Sequence, residues 1–542
     1  MKKSLIITVF IALSLVSFSQ KKNVYTGEIL RPKLIVGIVI DQMRWDFLYR
    51  YSDRYSNNGF KRLLRDGFSC ENTFIPYTPT YTAAGHTCIY TGSVPSIHGI
   101  MGNNWYSREL KRTVYCTDDT NFSGVGSTSD AGKMSPKNMW TTTITDELRL
   151  ATNFRSKVIG ISLKDRGAIL PAGHSANAAY WFDNANGAFI TSTYYMKELP
   201  AWAKQFNGKK LPDQYLQQSW NTLYPVNTYT QSTSDDKNYE ANFPGGGTTF
   251  PHILSANDKD KYNTLRYTPS GNTLMVEMAK AAVEGEGLGQ MGNTDFLALS
   301  FSTPDYIGHT FGPNSVEVED NYLRLDNDLT TLLNYLDNKI GKEQYTIFLT
   351  ADHGAANAPG FLKENKLPSG TLTDKTILTG LNDLINKRFS IKNAVESIIN
   401  YQVYLSRNIP EADEQKVKKA VIDQLMTYAA ISAAFELQNL QQTALPANAK
   451  NVFINGYNQK LSGDIQFVFK PGYLNGSEKG TSHGLWNPYD SHIPLLWFGW
   501  GIKKGKTNRE TYMTDIAATL AAMLHIQMPS GNIGKVIEEV IK

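Results

Sequence analysis

The sequence predicts an α/β fold: a mostly parallel central sheet with helices on both faces. Two observations carry the prediction. Leu34–Ile40, Lys157–Leu163, Phe296–Ser302, Thr346–Thr350 and Leu495–Phe498 are short runs that are apolar and β-branched on both faces. That is the pattern of strands buried between helices, not of strands with one wet side. Between Ser315 and Lys339, Tyr322, Leu325, Leu329, Leu332, Leu333 and Leu336 recur at three- and four-residue steps, which marks an amphipathic helix. A strand–helix–strand order of this kind builds a parallel sheet covered by helices.

Two long stretches break the rhythm. Residues 170–270 are polar, aromatic and turn-rich, with Phe243-Pro244-Gly245-Gly246-Gly247 among them. Residues 360–475 carry helical patterns such as Glu414–Leu437 and then a β-like Asp464–Lys470. Both are expected to be insertions in one domain spanning 21–542, forming a cap over the sheet. The 542 residues suffice for one large decorated domain.

Lys2 and Lys3, the apolar run Leu5–Val16 and then Ser17-Phe18-Ser19 have the parts of a secretory signal peptide covering residues 1–20. The run is too short for a transmembrane anchor, which needs about 20 apolar residues. A periplasmic or secreted protein with no membrane partner is therefore expected. The formal charge of +4 would fall to about +2 with the leader, and no long basic run invites nucleic acid. Cys70, Cys88 and Cys116 allow one disulfide in an oxidising compartment, and the pair Cys70–Cys116 is expected.

The ends of the strands are the informative places. Leu34–Ile40 runs directly into Asp41; Phe296–Ser302 leads to Asp305 and, four residues on, His309; Thr346–Thr350 leads to Asp352-His353-Gly354. Sites in open α/β sheets collect beyond the carboxyl ends of the strands. Each piece alone has a plainer reading: a lone Asp after a strand is usually a cap or turn residue. An Asp/His pair four apart is often a surface contact. Adjacent carboxylate and imidazole groups suit Zn²⁺, and the three pieces together point to a metal centre.

These strings resemble the alkaline phosphatase superfamily, and within it the PafA-like, phosphate-irrepressible monoesterases of Gram-negative bacteria. The resemblance runs through Ile40-Asp41-Gln42-Met43-Arg44, Thr80-Tyr81-Thr82-Ala83-Ala84-Gly85-His86-Thr87 and Ser302-Thr303-Pro304-Asp305-Tyr306-Ile307-Gly308-His309. It continues through Thr350-Ala351-Asp352-His353-Gly354, Gly480-Thr481-Ser482-His483-Gly484 and the ending Thr514–Leu520. It implies an alkaline phosphatase-like sheet and two Zn²⁺ per chain. Asp305, His309 and His483 would hold one ion; Asp41, Asp352, His353 and Thr82 would hold the other. Thr82 would be the nucleophile, with Thr78, Thr80 and Thr87 as nearby competitors. Asn103, next to Asn104, would contact a phosphoryl oxygen. Lys164 and Arg166 would contact the transferred group, and Lys164 would stand where other members carry magnesium, so that no structural Mg²⁺ is expected.

The implied activity is hydrolysis of a broad range of small-molecule phosphate monoesters by a monomer, through a phosphothreonine. The nearest rival is a nucleotide pyrophosphatase/phosphodiesterase of the same superfamily, against which Lys164-Asp165-Arg166 argues. A sulfatase would need a Cys or Ser followed by x-Pro-x-Arg, which the nucleophile segment lacks. A phosphoglycerate mutase of this superfamily would use serine and stay in the cytoplasm. A surface protein that binds phosphorylated glycans without turnover is the reading from another class.

Overall fold

The computed structural model describes residues 30–254 and 260–542. The expected signal peptide lies outside the described residues. Among those described, no helix is long and apolar enough to cross a membrane.

The centre of the fold is a ten-stranded sheet. Its principal strands are β1 (Leu34–Ile40), β2 (Val158–Ser162), β3 (Ala178–Asp183), β4 (Asp295–Phe301), β5 (Tyr345–Thr350) and β6 (Leu495–Gly499). They lie in the order β6-β5-β1-β4-β2-β3, and the five from β5 to β3 are all parallel. The sheet is mixed towards its edges. β6 runs antiparallel to β5, and Ala188–Ser192 runs antiparallel to β3. The expected mostly parallel sheet is found: its five central strands are parallel, as are Phe68–Cys70 and Gly505–Thr507 at one edge, with antiparallel pairs between and beyond them. β6 is reached through the long 360–475 excursion, not through a single crossover helix, so nothing constrains it to be parallel. Residues 178–192, read in the sequence as part of an insertion, instead extend the sheet.

Six helices matter to the site: α1 (Thr82–Thr91), α2 (Asp165–Ala172), α3 (Ser270–Glu286), α4 (Thr303–Phe311), α5 (Val316–Leu336) and α6 (Asp515–Leu524). A row of small residues crosses the sheet in register, Gly37 beside Ala298, Ala298 beside Gly160 and Gly160 beside Ala179. This row lets α1 and α2 lie directly on the strands. A Cβ on Gly37 would come 2.4 Å from Tyr90 Oη of α1, and one on Gly160 would come 2.2 Å from the Ala168 carbonyl of α2. The opposite face, the side of Leu34, is covered by α3 and α5 and the turns that follow them. The expected helix 315–339 begins where its cap predicts, with Ser315 Oγ accepting from Val318 N at 3.2 Å. Overpacking a core costs about 1–3 kcal/mol and sometimes more. Gly160→Val should therefore lower unfolding stability by about 3 kcal/mol in a denaturant titration, and an unchanged midpoint would contradict this close helix–sheet approach.

Residues 395–469 fold around their own antiparallel sheet of Val395–Ile399, Gln402–Leu405, Ile465–Phe469 and Ile431–Glu436. The helical pattern expected over Glu414–Leu437 holds only to Leu425, where the helix Glu411–Leu425 ends. Ile431–Glu436 is a strand because it pairs with Ile465–Phe469, and that pairing overrides local helix propensity.

The cysteines are buried and free, so the expected Cys70–Cys116 bridge is absent. Cys70 and Cys88 belong to the main core, whereas Cys116 packs in a separate small cluster with Ile100, Trp105 and Leu170.

Candidate active site

Every predicted ligand lies at the carboxyl edge of the parallel strands. Asp41 follows β1, and its backbone N–H extends the ladder to Phe301 O of β4 at 3.0 Å. α4 starts directly after β4 with a proline in its first turn, where the missing N–H costs nothing. That start places Asp305 and His309 on one face, Oδ1 to Nε2 3.1 Å apart. Asp352 and His353 follow β5. His483 arrives on the loop after Gly480 and stacks on His353, with ring centroids 3.5 Å apart.

The ligand atoms form two groups, each drawn within 4.8 Å: Asp305, His309 and His483, and Asp41, Asp352 and His353. The three imidazoles are held alike. Nδ1–H of His309 donates to Thr481 O (2.8 Å), that of His483 to Thr80 O (2.7 Å) and that of His353 to Gly354 O (2.9 Å). A carbonyl only accepts, so Nδ1 carries the proton and Nε2 keeps a lone pair aimed into the group. Burial, then the neighbouring His353 and His309 rings, push His483 well below its ordinary value, and burial lowers His353 too. Neutral imidazole is the form that binds metal.

The carboxylates fit the same purpose. Asp41 Oδ1 and Asp352 Oδ2 are buried without a hydrogen-bond partner. Burial, then Asp305 and Asp352, push Asp41 well above the usual carboxylate range against the pull of Lys164. Burial opposes ionisation of Asp305, but His309 and Lys164 hold it well below that range. Burial opposes protonation of His309, but Asp305 raises it above its ordinary value. The two orphaned carboxylate oxygens and the three Nε2 atoms, once the ring protons sit on Nδ1, are a donor set for cations.

Lys164, at the mouth of α2, is buried and bridges the groups. Its Nζ lies 2.6 Å from Asp41 Oδ2 and 2.5 Å from Asp305 Oδ2. Arg166, two residues on, donates from Nη1 to Tyr115 Oη at 3.1 Å, and Tyr115 in turn donates to Asp165 Oδ1 at 2.7 Å.

Thr82 opens α1, and its Oγ1 lies 3.3 Å from His353 Nε2. Gly85 lets the helix approach this corner, since a Cβ there would meet Asp352 O at 2.4 Å. The competing hydroxyls are spoken for: Thr78 donates to Gly484 O, Thr80 to Leu485 O and Thr87 to Ala83 O. Asn103 Oδ1 accepts from Ala83 N at 2.9 Å, so its amide N–H₂ is the end that can donate to an anion.

Several residues that complete the site escaped the sequence reading. Gln42 Nε2 donates to Asp305 Oδ1 at 2.7 Å and Gln42 N to Asp352 Oδ1 at 3.1 Å. His86 Nδ1 donates to Thr82 O at 2.8 Å and lies 3.4 Å from Asp352 Oδ2. Tyr306 sits under the Lys164 ammonium at 4.9 Å. The 360–475 segment reaches the site through Tyr401, whose hydroxyl donates to His483 O at 3.2 Å, and Asn400, which donates to Asn104 O at 2.8 Å. The adjacency of Gln42 to Asp41 was the one signal in the sequence; the others act across long chain separations.

Fold and site together define an α/β protein with two carboxylate–imidazole groups beside a helix-terminal hydroxyl. The family model for type I phosphodiesterase / nucleotide pyrophosphatase matches residues 35–491. Alkaline phosphatase PhoV of Synechococcus elongatus is 54% identical over 96% of this chain and 95% of that protein. A protein of Myroides odoratus named calcium-transporting ATPase is 52% identical over 94% of this chain and 95% of its own. Alkaline phosphatase PafA of Elizabethkingia meningoseptica is 49% identical over 95% and 96%. The crystal structure of wild-type PafA covers 95% of this chain and all of its own, with a TM-score of 0.92. The chain belongs to the type I phosphodiesterase / nucleotide pyrophosphatase family and to the PafA-like branch of the alkaline phosphatase superfamily.

Proposed function

We propose that this alkaline phosphatase is exported and hydrolyses a broad range of phosphate monoesters through a phosphothreonine on Thr82, with two zinc ions held by the two ligand groups. The observation that carries the reading is Thr82 Oγ1 set 3.3 Å from Nε2 of His353, which lies 3.5 Å from Asp41, the carboxylate that Lys164 pairs. A solved variant of PafA, in which a threonine, an asparagine, a lysine and an arginine are replaced, draws attention to the residue types found here at Thr82, Asn103, Lys164 and Arg166.

Bound there, the cations would withdraw charge from the threonine hydroxyl and from the leaving oxygen, easing both bond making and bond breaking. The chain's own residues do the rest. Thr82 Oγ1, having lost its proton, forms a bond to phosphorus as the bond to the ester oxygen breaks, and the alcohol leaves with a proton. Water then adds to phosphorus, the bond to Thr82 Oγ1 breaks, and phosphate departs. Asn103 offers its N–H₂ to one nonbridging oxygen. Arg166, its plane fixed by Tyr115 and Asp165, offers its fork to others. A monoester dianion uses both cationic side chains, whereas a diester brings one charge fewer and a second organic group to crowd them. Lys164 supplies positive charge between Asp41 and Asp305, the role a structural Mg²⁺ would otherwise have, and no such ion is expected.

The family model's name favours a second reading, a nucleotide pyrophosphatase/phosphodiesterase. The decisive measurement compares aryl phosphate monoester and diester hydrolysis with metal content counted alongside. A strong monoester preference in protein carrying two zinc ions is expected; near-equal rates, or a diester preference, would favour the second reading.

A further inference from the structure

The antiparallel sheet of residues 395–469 meets the active site at a two-residue turn. Val395–Ile399 and Gln402–Leu405 form a hairpin, and Asn400 and Tyr401 close it. Both turn residues have positive φ, 57° and 60°. Turns of that shape favour Asn-Gly, because glycine meets no steric penalty there. Asparagine tolerates the conformation, but a tyrosine is an outlier in it. A residue held in such a conformation points to a task for its side chain.

The turn is held from behind. Tyr401 is buried, and its ring packs edge-on against Phe467 and Phe469, with centroids 6.0 and 5.5 Å away. Its carbonyl accepts from Phe467 N at 3.0 Å and from Gln466 Nε2 at 2.9 Å. Gln402 Nε2 donates to Gln466 Oε1 at 3.2 Å, and Gln402 Oε1 accepts from Gly463 N at 2.8 Å. A buried polar network satisfied in this way fixes one conformation.

From that base the turn sends hydrogen bonds into two different parts of the site. Tyr401 Oη donates to the backbone oxygen of His483 at 3.2 Å. Gly484 leaves room for the ring, since a Cβ there would lie 3.0 Å from Tyr401 Cε2. His483 is already tied through Nδ1 to Thr80 O, so the Tyr401 bond fixes the other end of that residue. Asn400 Nδ2 donates to Asn104 O at 2.8 Å, and a Cβ on Gly102 would lie 3.1 Å from the same nitrogen. The Asn400 amide thus lies against the chain on both sides of Asn103.

We propose that Asn400 and Tyr401 are positioning residues for the reaction: Tyr401 fixes His483 as a metal ligand, and Asn400 fixes Asn103 as the phosphoryl contact. One turn would then set a metal group and a substrate group in a common frame, although neither of its side chains touches substrate. The inference rests on the roles proposed above for His483 and Asn103. Outer partners of this kind typically change metal affinity or activity about 10–100-fold.

The test compares wild type with Tyr401→Phe, which keeps the ring and removes the hydroxyl, and with Asn400→Gly, which keeps the left-handed backbone and removes the amide. Two readouts are taken on full-length protein. One is zinc retained per chain through a graded chelator challenge, counted by mass spectrometry; the other is the affinity of the zinc-saturated protein for inorganic phosphate. Tyr401→Phe should release a zinc ion at about tenfold lower chelator concentration, its larger change being in zinc and not in phosphate. Asn400→Gly should hold zinc as wild type does and bind phosphate about fivefold more weakly, the size of one lost hydrogen bond. A merely structural turn would weaken both readouts together in both variants, in step with the melting temperature, and that result would overturn the proposal. So would a wild-type value for either variant in its own readout. Wild-type protein that holds no zinc would fail the metal reading underneath; zinc-loaded wild type beside two unaffected variants would fail this inference alone.

Discussion

Thr82→Ala should lower phosphomonoesterase activity at least about 10²-fold, the size expected when a nucleophile rather than a bystander is removed, with zinc content and melting temperature unchanged. The side chain is small and buried, and its only side-chain hydrogen bond among the described residues is with His353 Nε2. Removing Oγ1 therefore leaves no orphaned carbonyl behind. Its neighbours provide the controls. Thr80 and Thr87 spend their hydroxyls on Leu485 O and Ala83 O, so alanine there removes a structural bond and no nucleophile. Their variants should lose stability before they lose turnover. A Thr82→Ala protein within a few-fold of wild type would sink the covalent reading, and retained substrate affinity without turnover in wild type would make the chain a binding protein.

What could be read from the sequence follows from where information is local. Leu34–Ile40, Thr346–Thr350 and the helix from Ser315 have patterns dictated by their own burial, and each was placed to within a residue or two. The ligands that directly follow strands were legible for the same reason, since a strand ending in Asp41 or Asp352 fixes where the carboxylate goes. What stayed hidden depends on pairing between distant segments. β6 looks like any buried strand, yet its direction is set by the chain path before it. Ile431–Glu436 follows a helical pattern and becomes a strand only because Ile465–Phe469 is beside it. Tyr115 and Tyr401 carry no motif; they matter because Arg166 and His483 come within reach of their hydroxyls. His483 itself, on a loop without regular structure, was found only through the family's Thr-Ser-His-Gly string.

Lys164→Ala tests the electrostatics of the whole centre. One ammonium lies 2.6 Å from Asp41 and 2.5 Å from Asp305, so it is the shared counter-charge of two carboxylates that belong to different ligand groups. Burial opposes the charged form of Lys164, but Asp305 and then Asp41 raise its pKa above the ordinary lysine value. Alanine would leave two buried carboxylate oxygens facing each other, and breaking a buried ion pair by removing one partner costs about 3–5 kcal/mol. If that cost falls on the geometry of the centre, the rate should drop about 10²–10³-fold, as for loss of one preorganised charge stabiliser. The vacated volume lies between two hard oxygens, a setting that Mg²⁺ can occupy while keeping most of its water. Millimolar Mg²⁺ should therefore restore part of the activity of Lys164→Ala. Chelated wild-type protein, whose own ammonium still fills that place, should recover with Zn²⁺ and not with Mg²⁺ alone. Full activity in the alanine variant without magnesium would show that Asp41 and Asp305 need no counter-charge beyond the ions they hold. Recovery of chelated wild type by Mg²⁺ alone would show that Lys164 does not stand in for that ion.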